Sequence, residues 1–207
     1  MTELPESFSQ DLMDYLKVIA DQGVRNAAKG FAKMLGQKLE VTQPEIRLVP
    51  FQEIPNMLGG PEQEGVGIYL RVEGDIPGQM ILVLPYDKAV DLAALMLEVH
   101  PSSIHGLGSL ERSALGEMGN MTGTFFLNSL AELTGLSVRP SPPAVMVDMI
   151  GAILDIIVAT TGGFGLNVML FQATFVYGER RTQTEFWVFP DPNTLKSFAE
   201  RAKLKDV

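Results

Sequence analysis

The sequence has no cysteine and only two histidines among its 207 residues. Without cysteine, disulfide scaffolds, thiolate zinc sites, iron–sulfur clusters and cysteine nucleophiles are excluded. The two histidines, His100 and His105, lie in one loop-like stretch, and they do not have the spacing of helical metal ligands. We therefore predict no metal site in this chain and no histidine-dependent hydrolysis.

Positive charge is also scarce, with 16 Lys and Arg against 25 Asp and Glu, and no basic block occurs. Nucleic acids and anionic membranes attract positive charge, so neither is predicted as a partner. The N-terminus lacks the basic and apolar regions of a secretion signal. The most apolar stretch, residues 143–159, is short for a bilayer span and contains two aspartates. We expect a cytoplasmic protein without membrane insertion.

The apolar and charged fractions, 46% and 20%, are those of a soluble globular domain, here predicted to span residues 1–207. Capping and periodicity patterns predict the secondary structure of the first half. The elements are a helix over about 9–38, an extended segment over 39–50, strands over 66–73 and 79–84, and a helix over 87–99.

The second half repeats this order of elements. They are a helix over 109–134, an extended segment over 136–140, an apolar helix from Pro143, strands over 166–177 and 182–189, and a helix from Pro192. An offset of 99 places Asp14 on Ser113, Asp21 on Asn120 and Pro44 on Pro143. We predict an internal duplication, with pseudo-repeats 1–100 and 101–207 and a pseudo-two-fold architecture.

The order of elements predicts an α/β fold of the α+β type, in which long helices pack on a largely antiparallel sheet. A nucleotide-binding fold is disfavoured, because no glycine-rich phosphate motif follows a predicted strand. The glycine cluster at 161–165 precedes a strand and is interpreted as a turn.

The predicted helix 109–134 carries a polar stripe. Ser113, Glu117, Asn120 and Thr124 follow one another at i, i+4, i+7 and i+11, which places all four on one face. A solvated helix face is the alternative interpretation. The expected buried surface of this helix consists of apolar positions: Leu110, Leu115, Met118, Met121, Phe125, Phe126, Leu130 and Leu133.

The wider pattern is Ser113-x3-Glu117-x2-Asn120-x22-Pro143, expected by chance in roughly one chain of this length in several hundred. It resembles the signature of the CheC-type chemotaxis phosphatases, the family that also includes CheX and FliY. Residues 113–120 look like the site helix of this family and residues 142–150 like its following helix. The resemblance covers essentially the whole chain, and the length and duplication are closest to the CheC type.

The resemblance implies hydrolysis of the aspartyl phosphate of a CheY-type response regulator. Glu117 and Asn120 would be catalytic, with Asn120 orienting the attacking water and Glu117 pairing with a lysine of the receiver domain. Ser113 and Pro143 would support the site. The receiver would supply its own Mg²⁺, so no cofactor bound by this chain is implied.

The first half departs from the signature, because Asp14, Val18, Asp21 and Pro44 stand at the corresponding positions. Val18 cannot form an ion pair, and the carboxylate of Asp21 would be repelled by a phosphoryl group. We therefore predict a degenerate first site and hydrolysis at the second site only. Asp21 is interpreted mainly as a surface carboxylate.

A second polar stripe, Ala144, Asp148, Gly151 and Asp155, is expected on the apolar helix from Pro143. A solvent-facing strip is one interpretation of it. The resemblance instead implies that this helix docks the receptor deamidase CheD, with Asp148, Met149 and Ala152 as candidate contacts. A non-catalytic adaptor that binds CheD or a receiver domain is the alternative function. A flagellar motor component is less favoured, because no further C-terminal domain is expected.

Overall fold

The computed structural model describes residues 14, 18, 21–23, 25–26, 29, 40–41, 45–75, 77–161, 167–177 and 180–190. The described strands are β1 (Glu40–Val41), β2 (Glu45–Pro50), β3 (Glu64–Gly74), β4 (Gly78–Pro85), β5 (Val138–Pro140), β6 (Ala144–Met149), β7 (Asn167–Tyr177) and β8 (Arg180–Pro190). The described helices are α1 (Ile54–Met57), α2 (Tyr86–Met96), α3 (Ser109–Thr134) and α4 (Ile150–Thr161), with 3-10 turns at Phe51–Glu53 and Pro101–Ser103. All the described residues between 14 and 29 are also helical.

All these strands form one antiparallel sheet. Its centre is the pair β4 and β8, flanked by β3 and β7. Beyond β7 lie β1 and β2, and beyond β3 lie β5 and β6, so each half contributes its short strands to the long strand of the other half. The strand order is unchanged when the two halves are exchanged.

Two short strands pair with each of β3 and β7, and in both cases the pairing is interrupted between the two short strands. On β3, Val72 pairs with Pro140 and Tyr69 pairs with Ala144. The three residues 141–143 between β5 and β6 therefore lie opposite only two residues of β3, 70 and 71. On β7, the partners of Val41 and Glu45 are Phe175 and Gln172, which is the same shift of one residue. This is the pattern of a β-bulge, which bends a strand and redirects its side chains.

The sheet buries apolar side chains on both faces. Strand β4 shows this directly, because Met80, Leu82 and Leu84 pack in the core beneath α2 and α3, whereas Ile81 and Val83 pack in the core beneath α4. The alternation follows from the two-residue period of a strand. Layers of helix therefore cover both faces of the sheet, and the fold class predicted from the sequence is confirmed.

Two sequence predictions are wrong. Residues 144–149 form strand β6 rather than a helix, because they pair with Glu64–Tyr69 of β3, and the helix begins only at Ile150. Leu110, expected in the core, is 62% exposed at the first turn of α3. The predicted helix from Pro192 and most of the helix over 9–38 lie outside the described residues.

Candidate functional site

Helix α3 carries the predicted catalytic residues and spans about 39 Å at 1.5 Å per residue. It ends at Gly135, whose φ of 73° is the left-handed conformation that suits glycine, and whose N–H bonds to the carbonyl of Ala131. The N-terminal helical residues pack beside it. Asn26 Nδ2 donates to Ser129 Oγ at 3.1 Å, and the backbone of Gly23 lies against Phe126.

A face of three glycines, Gly116, Gly119 and Gly123, lies towards the sheet, and at Gly119 the absence of a Cβ lets α3 approach it closely. A Cβ at Gly119 would overlap the side chain of Ile68, and one at Gly123 would lie 3.4 Å from Leu70 Cδ2. All three glycines are buried. Sequence reasoning overlooked this face, although the i, i+3, i+7 spacing of the glycines is a readable signal.

The predicted polar residues lie beside this glycine face. At 100° per residue, Asn120 is about 40° around the helix from Gly116, and Glu117 is about 100° from it. Accordingly, Asn120 is half-buried, whereas Glu117 and Ser113 are exposed. The side chain of Asn120 is thus partly covered by the protein, while that of Glu117 is open to solvent.

Pro143 closes the site on the side of the sheet. A Cβ at Gly116 would lie 3.7 Å from Pro143 Cγ and 3.4 Å from Val145 Cγ2, which places the bulge between β5 and β6 against the helix one turn before Asn120. Sequence and fold thus bring the elements carrying Ser113, Glu117, Asn120 and Pro143 together. Ser141, a further residue of this bulge, was not singled out by the sequence.

The first-half positions have a different environment. Val18 is helical and 53% exposed, so an apolar side chain is presented where the second half has Glu117. Asp21 forms an ion pair with Arg25, with Oδ2 and Nε 2.7 Å apart. The hydrogen bond and charge of Asp21 raise the pKa of the Arg25 guanidinium. Asp14 is exposed and helical, and Pro44 lies outside the described residues.

The residues predicted to contact a partner lie on two elements rather than on one helix. Asp148 and Met149 end strand β6, and Ala152 lies in the first turn of α4. Asp148 Oδ1 accepts a hydrogen bond from the Met149 N–H at 2.8 Å, and Met149 is 52% exposed. The predicted four-residue helical stripe does not form, because the strand divides it.

In the part of the chain that the structure describes, no group of three or more His, Asp or Glu side chains could hold a metal ion. Within the same residues, no helix has the length and apolar character needed to cross a membrane.

Comparison with known proteins matches residues 110–147 to a model of the CheC-like family. The chain is 32% identical over 148 residues to the CheY-P phosphatase CheC of Bacillus subtilis, covering 70% of this chain and 71% of that protein. The fold is similar to Thermotoga maritima FliY, with TM-score 0.73 and 21% identity over 99% of this chain and 100% of that one. A chain of the CheX–CheY–BeF₃–Mg²⁺ complex from Borrelia burgdorferi aligns with TM-score 0.52 and 15% identity, covering 82% and 95%.

Proposed function

The chain belongs to the CheC-like family, and on that premise we propose that it hydrolyses the aspartyl phosphate of a CheY-type response regulator. The observation that carries the proposal is that an exposed Glu117 and a half-buried Asn120 lie near each other on one side of α3. The relatives support it, since one is named a CheY-P phosphatase and another was solved as a complex with CheY. Under this proposal the protein acts in the cytoplasm, on a receiver domain.

The reaction requires little chemistry from this chain. An acyl phosphate is already activated, and the receiver's own Mg²⁺ neutralises charge on the phosphoryl oxygens. The missing component is a water molecule held in line with the bond to be broken, which is a matter of positioning. The carboxamide of Asn120 both donates and accepts hydrogen bonds, so it can orient that water without acting as a base.

Glu117 has a different role in the proposal. Its exposed carboxylate pairs with the lysine of the receiver, and this charge-assisted hydrogen bond docks the receiver so that Asn120 reaches the phosphoryl group. Ser113 lies one turn earlier on the same side, and Pro143 borders the site from the bulge. Ser113 and Pro143 thus support the site without taking part in the reaction.

The first site does not hydrolyse phosphate in this proposal. Val18 offers no charge for the receiver's lysine. The carboxylate of Asp21 is already paired with Arg25, and its own charge disfavours a phosphoryl group beside it. One chain would therefore carry one working site.

A partner surface is the second part of the proposal. The exposed Met149, beside Asp148 at the end of β6, presents an apolar and an acidic group together, and Ala152 follows on α4. We propose that CheD docks on this surface, which is formed by the end of β6 and the first turn of α4. If the chain acts only as an adaptor, this surface would be its main functional feature.

The test is the rate of phosphate loss from a Mg²⁺-loaded, phosphorylated CheY-type receiver. Wild-type protein should accelerate the loss and Asn120→Ala should not. Asn128→Ala is the matched control, because Asn128 is an exposed asparagine two turns further along the same helix. No acceleration by wild type, despite demonstrated receiver binding, would favour the adaptor function. Asp148→Lys should weaken CheD binding if the second part is correct.

A further inference from the structure

Ser141 is a buried serine in the bulge between β5 and β6. It is 6% exposed, and its N–H donates to the carbonyl of Arg71 on β3 at 2.8 Å. Its hydroxyl oxygen accepts the N–H of Arg71 at 3.0 Å. The same hydroxyl donates to the carbonyl of Pro142 at 3.0 Å. The Ser141 hydroxyl therefore replaces a backbone carbonyl as the acceptor for the Arg71 N–H, and it also gives the Pro142 carbonyl a hydrogen-bond donor.

The sequence around Ser141 explains why this side chain is needed. The next two residues, Pro142 and Pro143, have no N–H and cannot donate to β3. Three residues here lie opposite two on β3, so the regular ladder is also out of register. Without the hydroxyl, the Arg71 N–H and the Pro142 carbonyl would both lose a partner, and unsatisfied groups of this kind favour rearrangement of the segment.

The bulge lies next to the site helix. Pro143 lies opposite Gly116, one turn before Asn120 on the same side of α3, and its Cγ would be 3.7 Å from a Cβ at that glycine. The bulge therefore borders the side of the helix that carries Asn120. Glu117 is turned further from the bulge and into solvent, so it is less affected.

We propose that Ser141 is a positioning residue that fixes Pro143 against Gly116 and thereby sets the position of the Asn120 amide relative to the bound receiver. This inference rests on the proposed function, since it assigns the hydroxyl to the geometry of that same site. Because Asn120 acts on the reacting water and Glu117 on docking, loss of the hydroxyl should lower kcat and leave KM almost unchanged.

The experiment compares Ser141→Ala with Ser129→Ala, using phosphorylated receiver as substrate. Ser129 is also buried and also bonds to a backbone carbonyl, but it lies nine residues beyond Asn120 on α3. A misplacement of about 1 Å costs on the order of 100-fold in rate, so partial relaxation of the bulge predicts a fall in kcat of about tenfold for Ser141→Ala. Ser129→Ala should retain the wild-type kcat, and Ser141→Thr, which keeps the hydroxyl, should recover most of it.

The outcomes are distinct. A lowered kcat in Ser141→Ala, with unchanged KM and with Ser129→Ala normal, supports the positioning role. Wild-type kcat in Ser141→Ala overturns it, as does an equal fall in both variants, because general destabilisation would then explain the effect. If wild type itself fails to dephosphorylate a competent receiver, the proposed function falls together with this inference.

Discussion

The described helical residues of the first half and helix α3 of the second half carry different side chains at corresponding positions. In the second half these are Ser113, Glu117 and Asn120, and in the first they are Asp14, Val18 and Asp21. The strand framework around both is the same, including the one-residue shift in the outer strands. Under the proposed function, the framework is thus kept while the chemistry of one site is lost.

The two halves also differ in sequence at the positions of the three glycines of α3. At an offset of 99, Gly116, Gly119 and Gly123 correspond to a lysine, an alanine and a valine. In the part of the chain that the structure describes, Gly119 leaves the bare backbone that permits close contact of α3 with Ile68 of β3. The two halves therefore differ in sequence along this row of positions as well as in their polar groups.

The largest effect is expected when Asn120 is replaced by the first-half residue. Asn120→Asp removes the amide donor and places a negative charge beside the phosphoryl group. We expect the dephosphorylation rate to fall about 100-fold or more, as for other losses of alignment at a reacting centre. Single-turnover decay of the phosphorylated receiver measures it. Asn128→Asp is the charge-matched control, and a rate for Asn120→Asp within tenfold of wild type would contradict the proposed role of the amide.

The next effect concerns docking of the receiver. Glu117→Val introduces the residue that the first half has at the corresponding position, Val18, and it removes the proposed partner of the receiver's lysine. A hydrogen bond to a charged group contributes about 2 kcal/mol, which corresponds to a rise in KM of about 30-fold. The kcat should change little, because the water-orienting amide remains. Glu132→Val, at an exposed position further along α3, is the control. A fall in kcat at constant KM would indicate that Glu117 acts in the chemical step instead.

A smaller effect, on stability, is expected on the glycine face. Gly119→Ala would push a methyl group into Ile68 and should cost about 1–3 kcal/mol in free energy of unfolding. Gly123→Ala is the matched variant, because its Cβ would meet Leu70 at an ordinary contact distance of 3.4 Å. The helix propensity of alanine can then stabilise the protein by up to about 1 kcal/mol. Urea unfolding of both variants is the measurement, and equal effects would mean that close helix–sheet contact does not distinguish the positions.

Most of the framework was predictable because its local signals agree. The bounds of α3 match the prediction at both ends, where Gly108 is the N-terminal cap and Gly135 the C-terminal cap. Strands β3 and β4 also match within two residues, flanked by turn-forming glycines and prolines. That Ser113, Glu117 and Asn120 share one face of α3 followed from helical spacing, because i, i+4 and i+7 side chains must lie on the same side. Their roles in the site were inferred from the family resemblance.

Residues 144–149 show where sequence reasoning fails. This run, apolar except for Asp148, continues directly into Ile150 and the rest of α4. Periodicity alone cannot separate a short apolar strand from the apolar helix that follows it, so the whole segment was predicted as one helix. Pairing with β3, a long-range interaction, decides the boundary. Leu110 was misassigned for a related reason. Its spacing fits the apolar pattern, but the first turn of α3 leaves its side chain exposed.

The smallest expected effect is a gain of activity in the first half, and it shows how far the two sites differ. Val18→Glu with Asp21→Asn restores both polar groups of the signature, and it removes the carboxylate that pairs with Arg25. In an Asn120→Ala background we expect a gain of only about threefold in dephosphorylation rate, because placement of the groups contributes as much as their identity. Val18→Glu alone is the control, since the carboxylate of Asp21 then remains. Full recovery would show that two side chains account for the loss of the first site. No gain at all would indicate that the glycine face, which the first half lacks, is needed to bring the amide within reach of the phosphoryl group.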